Sequence, residues 1–470
     1  MAKKIITIDP VARIEGHLKI VLEIEGGKVV DARSSGTLFR GFEMILKGRD
    51  PRDAQQLTQR ACGICSASHA TAASLTLESA FRVRPPSNAR IIRNLVTGAN
   101  FLQSHILHFY LLAALDYFVG PEKPPFIPRA KGDYRLSKQM NKEYLDHYIK
   151  AMEVRRKIHE MIAIFGGKIP HHISFVPGGV TEKPTVDKIA SYLWRLRESM
   201  DFIENIYVPD VLRLADVYKD YSKIGRGYGN LLSYGAFDLD DKGSKKLFKR
   251  GLLTDGKIES MNKEKITEDV RYSWYDTKTS GKNPKDSDTI PAPGKPGAYS
   301  WLKAPRYEGK PYELGPLARM WVNGDYRKGI SVMDRHIARV LETKKIARAM
   351  EEWVLQLRPG RRVYVPSKVP QSAQGIGLTE APRGALGHWI KISKSRIARY
   401  QVVTPTNWNC SPRDDKDKPG PMEKALVGTP VADAENPIEL MRIIRSYDPC
   451  MACSVHLIEP GRSISEFRVC

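Results

Sequence analysis

Arg60-Ala61-Cys62-Gly63-Ile64-Cys65, with His69 four residues on, and Asp448-Pro449-Cys450-Met451-Ala452-Cys453, with His456 three residues on, decide how this chain must fold. Each stretch offers two thiols three residues apart and a downstream imidazole, a spacing that fits one helical face or one loop. Four thiolates brought together make a soft, electron-rich cage, suited to zinc, nickel or iron rather than magnesium or calcium. The stretches lie near opposite ends of the chain, so a site built from both requires one unit that joins its own ends.

The chain has six cysteines, Cys62, Cys65, Cys410, Cys450, Cys453 and Cys470, in 470 residues. That is too sparse for a disulfide scaffold, and the paired spacing points to metal ligation. Spacing alone leaves a structural four-thiolate zinc site as the plain reading. Zinc knuckles, however, place their pairs within roughly 15–20 residues of each other. Here almost the whole chain intervenes, which suits a reactive centre buried inside a large fold. Cys410 stands outside both motifs and reads as a small buried hydrophobe.

Length alone would allow about three domains, but two motifs that must meet favour a single catalytic unit over residues 1–456. No apolar run approaches the ~18 residues needed to cross a bilayer. The strongest candidate, residues 106–120, is interrupted by His108 and Asp116 and reads as a buried helix. The N-terminus carries no hydrophobic signal core. The net charge is +22, yet lysines and arginines are scattered. The densest tract (Lys242, Lys245, Lys246, Lys249, Arg250) offers only Phe248 for stacking, so nucleic acid is not a predicted partner. Solvated surface is the default reading. An acidic partner, an anionic membrane surface or adaptation to heat remain open.

Residues 4–39 largely alternate apolar and polar, with Gly26-Gly27 as a turn, and predict a small antiparallel sheet. Residues 54–117 read as helical, broken at Pro85-Pro86-Ser87, a stretch that supplies a cap for the long helix that follows. Ile189, Leu193, Leu196, Met200, Ile203 and Ile206 step by three and four, marking an amphipathic helix after Thr185. Residues 239–315, rich in Lys, Gly, Asp and Pro, look like a surface insertion. Helix is predicted again over 332–357, strands over 386–404, and over 438–446 a helix delivering the second motif. The fold class is α+β: a helix-dominated core, a long helix bundle, with small antiparallel sheets at the periphery.

The residues around the cysteines resemble the two signature motifs of the nickel–iron hydrogenase large subunit. Asp9-Pro10-Val11-Ala12-Arg13-Ile14-Glu15-Gly16-His17 is similar to that family's opening segment. Ser34-Ser35-Gly36-Thr37-Leu38-Phe39-Arg40-Gly41-Phe42-Glu43 and Gly48-Arg49-Asp50-Pro51-Arg52-Asp53-Ala54 continue it. Glu380-Ala381-Pro382-Arg383-Gly384-Ala385-Leu386-Gly387-His388-Trp389 and Pro405-Thr406-Asn407-Trp408-Asn409 follow in the same order. So many ordered motifs are specific. The resemblance runs nearly end to end, is weakest over residues 220–320, and is nearest to the membrane-associated, respiratory uptake class.

The resemblance implies a catalytic subunit that splits dihydrogen into protons and electrons. Cys62 and Cys450 would be terminal nickel ligands, and Cys65 and Cys453 would bridge nickel and iron, with carbon monoxide and cyanide on the iron. Glu15 matches the proton gate beside Cys450; its alternative role is pairing with Arg13 or a nearby strand. Arg383, whose charge is permanent, would overlie the open metal position. Pro382 and Thr406 would anchor the cyanides, and Asp448 belongs to the surrounding shell. Glu43, the Val402 carbonyl and His456 match a second site for Mg2+ or Fe2+. His69 would hydrogen-bond a bridging thiolate, and His171-His172 reads as a structural pair. Ser104 stands where the family often has an acidic residue that helps hold Arg383, and Ile64 where valine is common beside the gas channel.

The same resemblance implies partners. Once four thiolates are used, too few cysteines remain for iron–sulfur clusters, so an iron–sulfur small subunit must take the electrons, with a membrane cytochrome or quinone-linked subunit beyond it. The small subunit's twin-arginine signal would export the pair to the outer face of the membrane. Residues 457–470 match an extension removed by a maturation protease after nickel-insertion factors have acted. Two rivals remain. Regulatory hydrogen sensors typically lack such a tail, and the related quinone-reductase subunit lacks the cysteines.

Overall fold

A computed structural model describes residues 3–454, the side chains of 453 and 454 excepted. Helix makes up 41% and strand 20%, so helices carry the core and sheets dress it, as the sequence predicts. The chain opens with β1 (Lys4–Ile8), β2 (Leu18–Glu25) and β3 (Lys28–Gly36), an antiparallel sheet in the order β1-β2-β3. Leu18, Ile20, Leu22 and Ile24 alternate inward from β2, the period-two burial of a half-covered strand.

Short helices α1 (Phe42–Leu46) and α2 (Asp53–Gln59) lead to α3 (Ser66–Phe81) and α4 (Ser87–Leu107). Almost every residue of α4 is buried. A helix apolar or buried all round belongs at the centre of a large protein. It continues through a π-turn over His108–Ala113 to Asp116, which accounts for the apolar run read as a buried helix. Ser87 does not cap α4. Pro86 holds the cap position, and the Ser87 hydroxyl instead donates to Asp241 at 2.6 Å. A carboxylate in reach outcompetes the helix's own N–H groups for this side chain.

Against α4 pack α5 (Lys138–Gly166) and α9 (Val332–Gln356), and against α9 in turn pack α6 (Val186–Phe202), α7 (Val208–Val217) and α8 (Pro316–Asn323). Thr185 and Ser331 cap α6 and α9 by accepting from Lys188 and Asp334 N–H groups. Strands β4 (Phe175–Val176) and β5 (Gly179–Val180) form a minimal hairpin, and β6 (Leu231–Ser233) and β7 (Ala236–Asp238) follow α7. Residues 239–315 fold as turns and short strands β8 (Lys246–Phe248), β9 (Gly251–Thr254), β10 (Lys257–Glu259), β11 (Ile266–Asp269) and β12 (Ala304–Tyr307). Their inner side packs Phe248, Leu253 and Leu302 into the main core and Leu252, Ile266 and Tyr307 into a second apolar cluster, beside which Arg306, wholly buried, donates to Asp414 at 2.8 Å and to the Pro412 and Lys418 carbonyls.

The last sheet, β13 (Ser372–Ala381), β14 (Gly384–Ser393) and β15 (Arg396–Val403), is an antiparallel meander laid on α3. Contact this close needs glycine. A Cβ on Gly375 or Gly377 would sit 2.2–2.3 Å from α3 carbonyl oxygens. Then come α10 (Pro405–Asn409), α11 (Pro421–Leu426), α12 (Ile438–Ser446) and α13 (Met451–Ser454). Among the described residues no helix is long and apolar enough to cross a membrane.

One tether makes the fold pH-sensitive. Glu423 on α11, wholly buried, accepts from the N–H groups of Ser34 and Gly420 and from the Tyr299 hydroxyl. Burial pushes its pKa up to about 7, against an ordinary 4.5. The native state therefore keeps a proton that the unfolded chain has lost. This stabilises fully below the unfolded value and fades as pH rises towards 7, a span worth on the order of 3 kcal/mol. Melting curves between pH 4.5 and 7.5 are expected to show the Glu423→Gln variant losing less stability with rising pH than the parent. An equal slope would contradict the assignment.

Candidate metal centre

The first cysteine motif lies on the loop between α2 and α3. Asn100 and Gln103, one turn apart on α4, both donate to the Ile64 carbonyl, at 2.6 and 2.7 Å. The N–H groups of Ile64 and Cys65 point at the Cys62 sulfur, at 3.3 and 3.5 Å. Cys65 occupies the N-cap position of α3, where the helix dipole favours a thiolate. A buried ion pair, Arg93 with Glu78 at 2.7 Å, locks α3 to α4 below the loop.

The second motif is delivered by α12, as predicted, and is gripped on several sides. Met451 donates its N–H to the Glu15 carbonyl at 2.6 Å, and the Cys450 N–H donates to Thr406 Oγ1 at 3.1 Å. Arg383 Nε donates to the Asp448 carbonyl at 3.0 Å. Gly16 makes the approach possible: at φ +83° it lies so close that a Cβ would stand 2.5 Å from the Ala452 nitrogen.

The two motifs meet. Ligand sulfurs of Cys62, Cys65 and Cys450 all lie within 4.8 Å of one another, every one buried, and Cys62 Sγ is 3.5 Å from Cys450 Sγ. The side chain of Cys453, His456 and residues 457–470 lie outside the described residues. Arg383, buried beside these sulfurs, is paired with Asp448 at 3.0 Å. That contact lacks hydrogen-bond alignment, and neither terminal guanidinium nitrogen has a hydrogen-bond partner among the described residues. A buried cation with unused donors facing three thiols calls for an electron-rich occupant. The donor set and the orphaned guanidinium fit a soft transition-metal group carrying anionic ligands.

Glu15 faces the same space. Arg13, the alternative partner, is taken by Asp116 and by the Leu112 carbonyl. Burial raises the Glu15 pKa, with Arg383 pulling it partly back down. Pro382 gives its carbonyl to Arg319 at 2.8 Å. Ser104 is wholly buried, its hydroxyl without a hydrogen-bond partner among the described residues, and the Arg383 charge is met by Asp448. His69 Nδ1 lies 3.3 Å from His388 Nε2, and His388 Nδ1 lies 2.8 Å from the Tyr400 hydroxyl. His172 is wholly buried, its ring 4.1 Å from that of Phe175, and burial drives its pKa down to about 3. Such a neutral, packed ring fits a structural role. Cys410 is buried 3.9 Å from the Met422 sulfur, with its thiol pKa pushed well up, as a small hydrophobe should be.

Glu43 on α1 forms a second polar centre. Burial raises its pKa while Lys303 and the backbone N–H of Val402 lower it. Lys303 in turn donates to Glu268 at 3.1 Å and to Gln401 at 3.0 Å. Sequence reasoning missed Lys303, Glu268 and Gln401, which share no local pattern with Glu43.

It also missed Arg319. This wholly buried side chain donates to Glu342 at 2.6 and 2.8 Å, to Glu380 at 2.7 Å, and to the Ala381 and Pro382 carbonyls at 3.0 and 2.8 Å. It thereby fixes the backbone that presents Arg383. Arg319→Ala leaves two carboxylates buried without their cation, so a loss of about 3–5 kcal/mol is expected in denaturant unfolding. A loss below about 1 kcal/mol would mean that solvent reaches the network.

Comparison with known proteins agrees with this geometry. The profile of the nickel-dependent hydrogenase family matches residues 40–120 and 125–456, and a HoxL-like profile matches residues 5–35. The periplasmic [NiFeSe] hydrogenase large subunit of Desulfomicrobium baculatum is 45% identical, over 96% of this chain and 95% of that one. The quinone-reactive Ni/Fe-hydrogenase large chain of Wolinella succinogenes is 33% identical, over 100% and 98%. The solved Ni-Fe-Se hydrogenase of Desulfovibrio vulgaris Hildenborough superposes with a TM-score of 0.95 at 49% identity, covering 97% of this chain and 100% of that one. Four cysteines alone leave zinc and nickel open; with matches of this extent, the chain belongs to the nickel-dependent hydrogenase family, as a large catalytic subunit.

Proposed function

We propose that this chain oxidises dihydrogen at a nickel–iron centre held by Cys62, Cys65, Cys450 and Cys453, and passes the electrons to an iron–sulfur small subunit. The observation that carries the reading is the cluster of buried sulfurs beside Arg383, whose two terminal nitrogens have no hydrogen-bond partner among the described residues. Cys62 and Cys450 would hold the nickel as terminal ligands, Cys65 and Cys453 would be shared with the iron, and the iron would carry carbon monoxide and cyanide. When bound, this group supplies the electron-rich, Lewis-acidic centre at which dihydrogen is split.

The chain's own residues do the rest. Arg383, held by Asp448, keeps a fixed positive charge over the site and offers its free donors to the occupant. Pro382 and Thr406 would anchor the cyanides, and the Thr406 hydroxyl accepts from the Cys450 N–H. The Cys450 thiolate and the Glu15 carboxylate form the proton exit. Glu15 suits this because burial lifts its proton affinity towards a range where it both accepts and releases. Ser104, with no charge to offer, leaves Asp448 as the counter-ion of Arg383. His69 would hydrogen-bond a bridging thiolate.

Glu43, the Val402 carbonyl and His456 would hold Mg2+ or Fe2+ at the second centre, beside which Lys303 is tied to Glu268 and Gln401. The unit spans residues 1–456. The family profile ends at residue 456, which supports reading 457–470 as an extension that a maturation protease removes after nickel insertion. A periplasmic relative and a quinone-reactive one support an extracytoplasmic site of action and a membrane-linked electron acceptor.

Metal analysis of the purified two-subunit enzyme tests the reading. One nickel per large subunit, absent from a Cys62→Ser variant, is expected. Zinc in place of nickel, in protein lacking residues 457–470, would overturn it.

A further inference from the structure

Arg40 lies between β3 and α1 and belongs to neither cysteine motif, yet it holds both. Its Nη1 donates to the Ala61 carbonyl at 2.9 Å and to the Ala452 carbonyl at 3.1 Å, and its Nη2 donates to the Arg60 carbonyl at 2.6 Å. Ala61 directly precedes Cys62, and Ala452 directly precedes Cys453. The guanidinium itself is steadied over the Phe42 ring, 4.8 Å from its centroid. The grips of Thr406, Glu15 and Arg383 tie the second motif to other parts of the chain. That of Arg40 ties it to the first motif.

We propose that Arg40 is the latch of the metal centre, a positioning residue that closes the C-terminal cysteine pair onto the N-terminal pair and retains the metal between them. The proposal rests on the nickel–iron reading above. A guanidinium suits this task because its donors are fixed in one plane, so carbonyls from two segments are held at a set separation. A lysine keeps the charge, but its single nitrogen does not reproduce the fork. Arg40 is half-buried, so this is the side from which the closed site can be unfastened. Gly16 packs tightly behind Ala452, so the second motif is held between a wall and the latch.

The test uses the intact two-subunit holoenzyme and follows bound nickel over time in excess EDTA. Parent, Arg40→Lys, Arg40→Ala and Arg52→Ala are compared, with melting by circular dichroism as a check on the fold. Arg52, exposed and paired with Asp50, is the control. Nickel is expected to leave Arg40→Ala roughly 10–100-fold faster than the parent, the cost usual for losing a residue that orients metal ligands. Arg40→Lys should fall between, Arg52→Ala should match the parent, and the melting transitions should coincide. Parent-like retention in Arg40→Lys would overturn the latch, because charge without the fork would suffice. If Arg40→Ala does not fold, Arg40→Lys decides alone. A parent without nickel would overturn the nickel–iron reading and the latch together, whereas a nickel-bearing parent with unchanged variants overturns the latch only.

Discussion

Replacing Cys450 with serine is expected to leave a folded protein with almost no nickel and no measurable hydrogen oxidation. Serine keeps the shape but stays a neutral, hard hydroxyl, a poor ligand for a metal that selects thiolate. Changes merely next to a ligand cost about 10–100-fold in metal affinity, so loss of a ligand should cost more. The fold should survive. Cys450 sits with Cys62 and Cys65 in a small cluster apart from the main apolar core built on α4, α5 and α9. Nickel analysis beside a helical melting curve separates the two effects. A serine variant with full nickel would remove Cys450 from the ligand set.

The second large effect is at Glu15. Glu15→Gln preserves size and one acceptor oxygen but cannot carry the proton. Turnover is expected to fall ~10²–10⁴-fold, the usual worth of a positioned acid–base group. Nickel content should not change, because the backbone contact between Glu15 and Met451 is independent of the side chain. That split distinguishes a proton carrier from a structural prop. Unchanged turnover would return Glu15 to the structural role, with Arg13 already committed to Asp116. Loss of nickel along with activity would mean that the side chain shapes the metal site instead.

Much of this was legible in local sequence. The alternation of β2 and the run into α12 report which face each element buries, while the three-and-four steps of α6 mark its inner side only roughly, since Tyr192, Leu196, Ser199 and Phe202 are buried most fully and Ile189, Leu193 and Met200 only in part. The cysteine spacing told which residues must converge. Helix α5 is as regular, burying Tyr144, Ala151, Val154, Ile158, Met161, Ile162 and Phe165, but its lysine- and glutamate-rich outer face obscures the stripe. Residues 239–315 show no period because their strands are only three or four residues long. Periodicity needs more turns than that to register. Their apolar residues, such as Leu252, Ile266 and Tyr307, meet only in the folded cluster, and a buried cation, Arg306, reaches Asp414 more than a hundred residues on.

The site divides the same way. Ligands announce themselves by type and spacing, whereas the residues that aim them do not. Arg319, Arg40 and Lys303 are ordinary basic residues in a chain with many. Only the fold shows Arg319 under the Ala381-Pro382 backbone, Arg40 across both motifs, and Lys303 between Glu268 and Gln401. Ser87 fails in the opposite direction: its local capping signal is real, but Asp241, remote in sequence, claims the hydroxyl. Long-range polar pairing is decided by tertiary structure, which no window of sequence contains.

The infrared spectrum of the purified two-subunit enzyme, in the carbonyl and nitrile stretching region, tests the central claim most directly. Bands from one carbonyl and two cyanides that shift under hydrogen are the predicted result, because only an iron carrying those ligands beside a redox-active nickel produces them. An empty window in protein from which residues 457–470 have been removed would contradict the assignment of the four cysteines to a nickel–iron centre.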